Sequence, residues 1–331
     1  MKLLKRVVIT LLFPTAIFLV MWAVCAANPK CYVNGDFIFL TSDMIRQVFL
    51  TACQSTCVAL AIWLQLKNGR FDFSGGASMI LTAIVAGNIG LMTRSPVLML
   101  LVAAVTGVAV SLGVAAVYSY GRLPIVIATI GVTLLYESLT YIIFGGNGVS
   151  TVYSDTVLSL FGRAPMAIVP TVIAVVTFLV YDQFTTAGRK GKILSRNQSA
   201  GVNIGIDEVK IVFVSYVFRG IIIGMAAVIY VSQNKVDPQS GLATSGIMFS
   251  YIVPVYMGTF IGMASTDYIG IMVSSVGMAI LNYGLSCMNL GAGGMQQIIM
   301  GIFVLGFYSF EAQLGNIQKL FAKITKKEAA A

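Results

Sequence analysis

The feature that most constrains this chain is the recurrence of apolar runs near twenty residues long, the length at which a helix crosses the hydrocarbon layer of a bilayer. Such windows fall at residues 7–27, 45–66, 72–92, 97–118, 125–146, 166–182, 211–232, 247–263, 268–288 and 295–313. In lipid the backbone polar groups of a span are satisfied inside the segment, so each run is expected to be helical. The expected fold is an all-α polytopic membrane protein with about ten transmembrane helices. Lys2, Lys5 and Arg6 form a basic start, but the first apolar run is too long for a secretory signal, and no convincing small-residue cleavage site follows it. It is read as a retained span.

Composition agrees: 58% of residues are apolar and 10% charged, against about 25% charged in soluble domains. A soluble enzyme is excluded. The absence of histidine removes the usual general base and the commonest metal ligand, so triad and metal catalysis are not expected. No GxxxxGK[ST] run is present, so nucleotide hydrolysis is not expected of this chain and the energy source is a partner or an ion gradient. The five cysteines form no CxxC pair and read mostly as small buried hydrophobes, while a Cys25–Cys31 pairing at an outer surface stays open.

The net charge of +9 reads as topology rather than as affinity for nucleic acid. Counting from an inside start, Lys2, Lys5, Arg6, Lys67, Arg70, Arg122, Arg189, Lys190, Lys192, Arg196, Lys210, Lys319, Lys323, Lys326 and Lys327 share one side, fifteen of the 21 cations. Lys30, Arg46, Arg94, Arg163 and Lys235 fall on the other side, and Arg219 lies within a span. Both termini are therefore expected in the cytoplasm.

Connections are short, so residues 1–331 form a single membrane domain. Ser74-Gly75 with Gly87 twelve residues beyond its glycine is echoed by Ser245-Gly246 with Gly258. Five spans separate the copies, which points to two inverted-topology halves of five, about 1–150 and 165–313, with a cytoplasmic tail at 314–331. The longest connection, about 183–210, is rich in charge, and its stretch 192–200 is expected to form a short surface helix. It suits either lipid headgroups or a cytoplasmic partner.

Charges within spans are expensive, and usually paired or functional. Glu137 lies about thirteen residues into its span and Arg219 about nine, so at 1.5 Å per residue their depths differ by roughly 6 Å. A Glu137–Arg219 pair is the favoured expectation over a proton or ion site. Asp72 opens the third span, suited to capping a helix start or to meeting solute. Asn282, Tyr283 and Gly284 interrupt the ninth, and Asn88, Tyr136, Thr140, Tyr141, Ser274 and Ser275 add a sparse polar lining that suits a neutral solute more than an ion.

The stretch Gly69-Arg-Phe-Asp72-Phe-Ser74-Gly-Gly76 resembles the Gly-Gly-Ile-Asp-Leu-Ser-Val-Gly signature of ABC transporter permeases of the ribose and monosaccharide type. That family includes autoinducer-2 permeases and is related to nucleoside and branched-chain amino-acid permeases. The likeness continues through Gly121-Arg122, Ala128-Thr129, Gly188-Arg189, Asn197, Ala200, Gly205-Ile206, Lys210-Ile211 and Leu281-Asn282-Tyr-Gly284-Leu285.

The resemblance implies the membrane-spanning subunit of an importer in the bacterial inner membrane. Its partners would be a cytoplasmic ABC ATPase that uses ATP and Mg, an outer solute-binding protein, and a second permease copy or paralogue. No cofactor would be bound by this chain. By the same likeness, Gly188, Arg189, Arg196, Asn197, Ala200, Gly205 and Lys210 belong to the ATPase-coupling loop, and Asp72, Ser74, Gly76, Asn282 and Gly284 to the family signature and solute pathway. Ser250, Pro254, Gly258-Thr259, Glu137 and Val202 depart from the family pattern, so the solute need not be ribose. The expected function is inward movement of a sugar-like or nucleoside-like solute by alternating access. The alternative is a secondary transporter coupled to ions or protons through Glu137.

Overall fold

Each of the first nine apolar runs becomes a helix in the computed structural model, which describes residues 2–33, 36–263 and 265–290 and, beyond them, only 298, 301–302 and 305–306. The helices are α1 (Lys2–Ala26), α2 (Ser42–Lys67), α3 (Gly75–Thr93), α4 (Pro96–Gly121), α5 (Ile125–Ile142), α6 (Ile168–Leu179), α7 (Thr186–Arg196), α8 (Gln198–Asn203), α9 (Glu208–Gln233), α10 (Ala243–Gly262) and α11 (Asp267–Cys287). The expected tenth span at 295–313 lies outside the described residues apart from those five isolated positions. The tail 314–331 lies outside them altogether.

Among the described residues seven helices are long and apolar enough to cross a bilayer: α2, α3, α4, α5 with the turn that follows it, α9, α10 and α11. α6 continues through a π-helical turn, Val180–Phe184, and then bends by 72° into α7. Residues Thr10–Ala26 of α1 form a shorter apolar helix. The chain is thus an all-α polytopic membrane protein, with strand among the described residues limited to the small hairpin of β1 (Tyr32–Val33) and β2 (Asp36–Phe37) and a bridge between Val149 and Val236.

Helix starts follow local chemistry. Ser95 accepts from the Leu98 N–H at 3.3 Å with Pro96 in the first turn of α4, and Asp207 accepts from the Lys210 N–H at 3.1 Å at the start of α9. α9 sits at the centre of the bundle, packed on α2, α3, α4 and α6. Its closest neighbour is α4, where Gly220 and Gly224 face the backbone of Gly107, Val108 and Ala103. Small residues allow helices in lipid to approach so closely. Outward faces carry exposed aliphatic side chains such as Leu101 and Val105 of α4 and Ile127 and Leu135 of α5, as a lipid-facing surface requires. Cys25 and Cys31 are both buried free thiols, and the Cys25 Sγ donates to the Gly284 carbonyl at 3.7 Å.

Two helices begin side by side partway along the bundle, α3 from the buried Ser74, Gly75 and Gly76 and α10 with Thr244 buried beside them and Ala243 exposed. The segment 68–74 leaves the end of α2 and turns into α3, while the segment 235–242 turns into α10, and the two starts meet where Gly76 lies against the carbonyl of Thr244. From that meeting point they run to opposite ends. The far end of α3 places Arg94 3.6 Å from Asp155, near the residues that surround the start of α2. The far end of α10 brings Gly262 against Asp267, beside Lys67 at the end of α2. Leu158 and Val157 donate backbone N–H groups to Asp155, which holds its carboxyl below the ordinary carboxylate range.

The Ser74-Gly75 and Ser245-Gly246 echo therefore falls on the two interior helix starts. Its two glycines differ in packing, since a Cβ on Gly75 would meet Met248 at 3.7 Å while one on Gly246 would meet nothing within 4 Å, and at the neighbouring Gly76 a Cβ would overlap the Thr244 carbonyl. Gly76→Leu is expected to destabilise the chain by about 2–3 kcal/mol through overpacking, and Gly246→Leu to leave stability near the parent. Thermal melts of the two variants in detergent check the contrast.

Candidate functional site

Around the meeting point of α3 and α10 lies a knot of buried charge. Asp72 sits just before α3, and its Oδ1 accepts from the Ser74 N–H at 2.7 Å and the Ser74 hydroxyl at 2.6 Å, the turn that opens the helix. Its Oδ2 lies 3.2 Å from Nη2 of Arg219. The same Arg219 donates to Ser74 Oγ at 3.2 Å and to Ser111 Oγ of α4 at 3.0 Å, with its guanidinium 5.3 Å from the ring centroid of Tyr216. Both charged side chains are almost fully enclosed, at 2% and 3% exposure. A charge held there persists because it is paired and hydrogen-bonded.

Glu137 of α5 makes a second cap. Its Oε2 accepts from the Leu242 N–H at 2.8 Å, and its Oε1 from the Thr244 N–H at 2.9 Å and the Thr244 hydroxyl at 2.6 Å. These donors belong to the first turn of α10, whose entry residue Leu242 has a positive φ of 67°. Each interior helix start thus carries a buried carboxylate, Asp72 for α3 and Glu137 for α10, where unpaired N–H groups and the helix dipole favour negative charge.

This arrangement corrects the expected Glu137–Arg219 pair. Both residues do lie in the interior, but Arg219 binds Asp72 and Glu137 binds backbone donors of α10. Ser111, Tyr216 and Thr244 were not among the expected site residues. The one signal for Thr244 was its place beside the Ser245-Gly246 echo.

The expected pathway residues divide. Asp72 and Ser74 belong to the knot, and Gly76 is the contact between the helix starts. Gly284 packs against Met21 of α1 and Phe39. Asn282 lines a cavity of about 220 Å³ between α2, α10 and α11, together with Thr51, Ser55, Ser250 and Tyr251. Among the described residues no charged side chain lines it. At its edge Ser55 donates to Ser275 at 3.3 Å, and Ser274 donates to the Pro254 carbonyl inside α10. Of the other polar positions, Asn88 donates to the Gly148 carbonyl at 3.2 Å, and Thr140 accepts from the Gln239 N–H at 3.1 Å. Tyr136 donates to the Val110 carbonyl at 2.7 Å. These three join neighbouring segments rather than line the cavity.

A second cavity, about 330 Å³, opens near the start of α2 and includes Arg46, Arg163, Gln233 and Asn234.

The long connection is built more elaborately than a single surface helix. The expected helix at 192–200 is broken at Asn197, whose side chain accepts from the Ala200 N–H at 3.0 Å and so starts α8 afresh. α7 is seated: the Thr185 hydroxyl accepts from the Gly188 N–H at 3.0 Å, Gly188 lies against the Tyr181 carbonyl, and Gly191 lies against Asn68. α8 is closed at its far end by the Ile206 N–H to Gly201 carbonyl bond at 3.1 Å and the Gly205 N–H to Val202 carbonyl bond at 2.9 Å. Gly205 takes a φ of +85° there, which is the reason for glycine at that position.

Gln198 donates to both oxygens of Glu208, at 2.7 and 2.8 Å, tying α8 to the start of α9. Arg189, Arg196 and Ala200 point to the surface, as do Lys210 and the apolar pair Val202 and Ile204, the last 70% exposed.

Interrupted helices meeting beside a polar cavity are the build of a membrane transport protein. Residues 44–307 match the family described as the permease component of the branched-chain amino acid transport system, and the chain belongs to that family. It is also 23% identical, over 271 residues, to the ribose import permease protein RbsC of Bacillus subtilis (strain 168), which covers 80% of this chain and 81% of that protein. The resemblance carried by residues 69–76 to permeases of ABC transporters is borne out.

Proposed function

We propose that this chain is the membrane-spanning subunit of an importer of the bacterial inner membrane, moving a sugar-like or nucleoside-like solute inward by alternating access. Partner ATPase subunits using ATP and Mg drive it, an outer binding protein delivers solute, and a second permease copy or paralogue completes the pathway. The observation that carries this reading is α8: a short helix capped at both ends, presenting Val202 and Ile204 from a loop otherwise anchored to the bundle. An exposed apolar knob on a fixed seat is what a mechanical input needs, and the loop 183–210 is read as that coupling element on the cytoplasmic side. The uncharged cavity of Thr51, Ser55, Ser250, Tyr251 and Asn282 suits a neutral, hydroxyl-rich solute. The two-half organisation supports the alternating motion, with one interior helix start contributed by each half.

Glu137 serves this reading as a helix cap. Three donors within 2.9 Å occupy both of its carboxyl oxygens, which supports the cap over the ion-coupled alternative.

The test is co-purification of the chain with a cognate ABC ATPase, together with ribose uptake by cells that carry both. Ile204→Asp is expected to weaken the association at least about tenfold, as a charge at the centre of an apolar contact does, while the amount of permease in the membrane stays unchanged. Uptake should stop on ATP depletion and survive an uncoupler. The reverse pattern would overturn the proposal.

A further inference from the structure

Four charged side chains from four different segments converge at the end of the bundle that carries the 183–210 loop. Nζ of Lys67, the last residue of α2, lies 2.9 Å from Oδ1 of Asp182 and 2.9 Å from Oδ2 of Asp267. Nζ of Lys192 on α7 reaches the same Asp182 Oδ1, also at 2.9 Å. Asp182 belongs to the π-helical turn between α6 and α7, and Asp267 is the first residue of α11. π-turns of this kind recur at functional sites. The Lys67 side chain is 19% exposed and that of Asp182 13%, so the centre of the network is largely removed from solvent while Lys192 and Asp267 sit at its rim.

The connections beyond the four charges give the network a direction. α7 packs on the π-turn and on the end of α2 through the close approach of Gly188 to the Tyr181 carbonyl and of Gly191 to Asn68, whose Oδ1 also accepts from the Tyr181 hydroxyl at 3.1 Å. At the other side, Asp267 abuts Gly262 at the end of α10, and Gly270 and Ile271 of α11 pack directly on Gly258. α10 and α11 therefore move as a unit, and that unit forms two of the three walls of the 220 Å³ cavity, with α2 as the third. Lys67 is on α2 and Asp267 on α11. Their bond ties the third wall to the other two at one end, and through Asp182 the same ammonium is tied to the loop.

We propose that Lys67 is a positioning residue that latches the cavity shut at the loop end of the bundle and places that latch under the control of the 183–210 loop. Motion of α7 draws Lys192 and Asp182 away, Lys67 loses one of its two carboxylates, and the Lys67–Asp267 bond is left as a lone, partly exposed pair, which holds weakly. α11 then parts from α2 at the loop end and the cavity opens there. This inference rests on the reading of 183–210 as the coupling loop, but the latch between α2 and α11 is testable without any ATPase.

The experiment places a cysteine in the cavity wall at Ala279, which is 2% exposed, in a chain carrying Cys287→Ser. The full chain is held in membrane vesicles and labelled with a small water-soluble maleimide. Lys67→Met is expected to raise the labelling rate about tenfold, because the rate follows the population of the opened form. Asp267→Asn, at a more exposed position that leaves the Lys67–Asp182 bond intact, should raise it several-fold. Lys67→Arg, which keeps the charge and both partners in reach, should label as slowly as the parent.

Equal rates in the parent, Lys67→Met and Asp267→Asn would overturn the latch, as would fast labelling in Lys67→Arg. Should Lys67→Met fail to reach the membrane, Asp267→Asn and Lys67→Arg decide the matter. With the partner ATPase present, Lys192→Met should keep labelling slow yet abolish its acceleration by ATP. Labelling that responds to Lys67 while ribose uptake ignores ATP depletion leaves the latch standing and defeats the importer reading instead.

Discussion

Replacing Arg219 by methionine is expected to remove most of the folded chain from the membrane. The guanidinium holds the Asp72 carboxylate, the Ser74 hydroxyl and the Ser111 hydroxyl within 3.2 Å, and among the described residues it is the cation within ion-pairing distance of Asp72. Breaking a buried ion pair by deleting one partner costs about 3–5 kcal/mol, chiefly because the other charge stays buried. That is a large part of the stability of an ordinary domain.

The double variant Arg219→Met with Asp72→Asn removes both charges, so it should recover part of the loss. The amide oxygen of asparagine can still accept from the Ser74 N–H and preserve the start of α3. Membrane abundance and thermal melting of the single and double variants give the measurement. A double variant no better than Arg219→Met would show that the pair is not what the arginine supplies.

The second large effect is expected at Glu137. Glutamine is nearly the same shape, yet its carboxamide presents one acceptor oxygen and one donor nitrogen where each carboxyl oxygen of Glu137 faces a backbone donor, the N–H of Leu242 on one side and of Thr244 on the other. One donor of α10 is left facing another donor. Hydrogen bonds to a charged group are worth about 1.5–3 kcal/mol each, and an unsatisfied buried group costs a similar amount. Glu137→Gln should therefore destabilise the chain by about 3 kcal/mol, with the local damage confined to the first turns of α10. Hydrogen exchange in the segment 242–250 should rise in this variant before the rest of the bundle responds. Full stability with uptake lost would instead place Glu137 in the transport chemistry.

The apolar runs were legible from sequence because lipid imposes a length, and nine expected spans lie on helices of the structure within a few residues at most ends. Asp72 was legible as a cap because an Asp-x-Ser turn before a glycine-rich helix is a local matter. The partners of Glu137 and Arg219 were not. Each depends on how helices distant in sequence are rotated about their axes, and a depth estimate along two spans carries no information on rotation. Asp72 also precedes its helix in an interior segment, so counting residues from a membrane face misplaces it.

The Lys67–Asp182–Lys192–Asp267 network was invisible for a related reason: Lys67 and Asp267 sit at helix ends and Asp182 and Lys192 beside and within the long connection, where charges are ordinary. Asn197 was noticed as part of the family likeness, but its consequence, a fresh start for α8, needs the side chain's acceptance from Ala200 to be seen.

The closure of α8 upon itself has a bearing on how such a protein changes over time. From Asn197 to Ile206 the stretch is closed by its own caps, and it is tied to the bundle by Gln198 to Glu208 and by the buried Ile206. The residues in between can be rewritten without repacking a single membrane helix. On the proposed coupling role, a chain built this way can exchange one motor for another while its cavity and its paired helix starts are left untouched, so choice of solute and choice of engine can diverge along separate lines of descent.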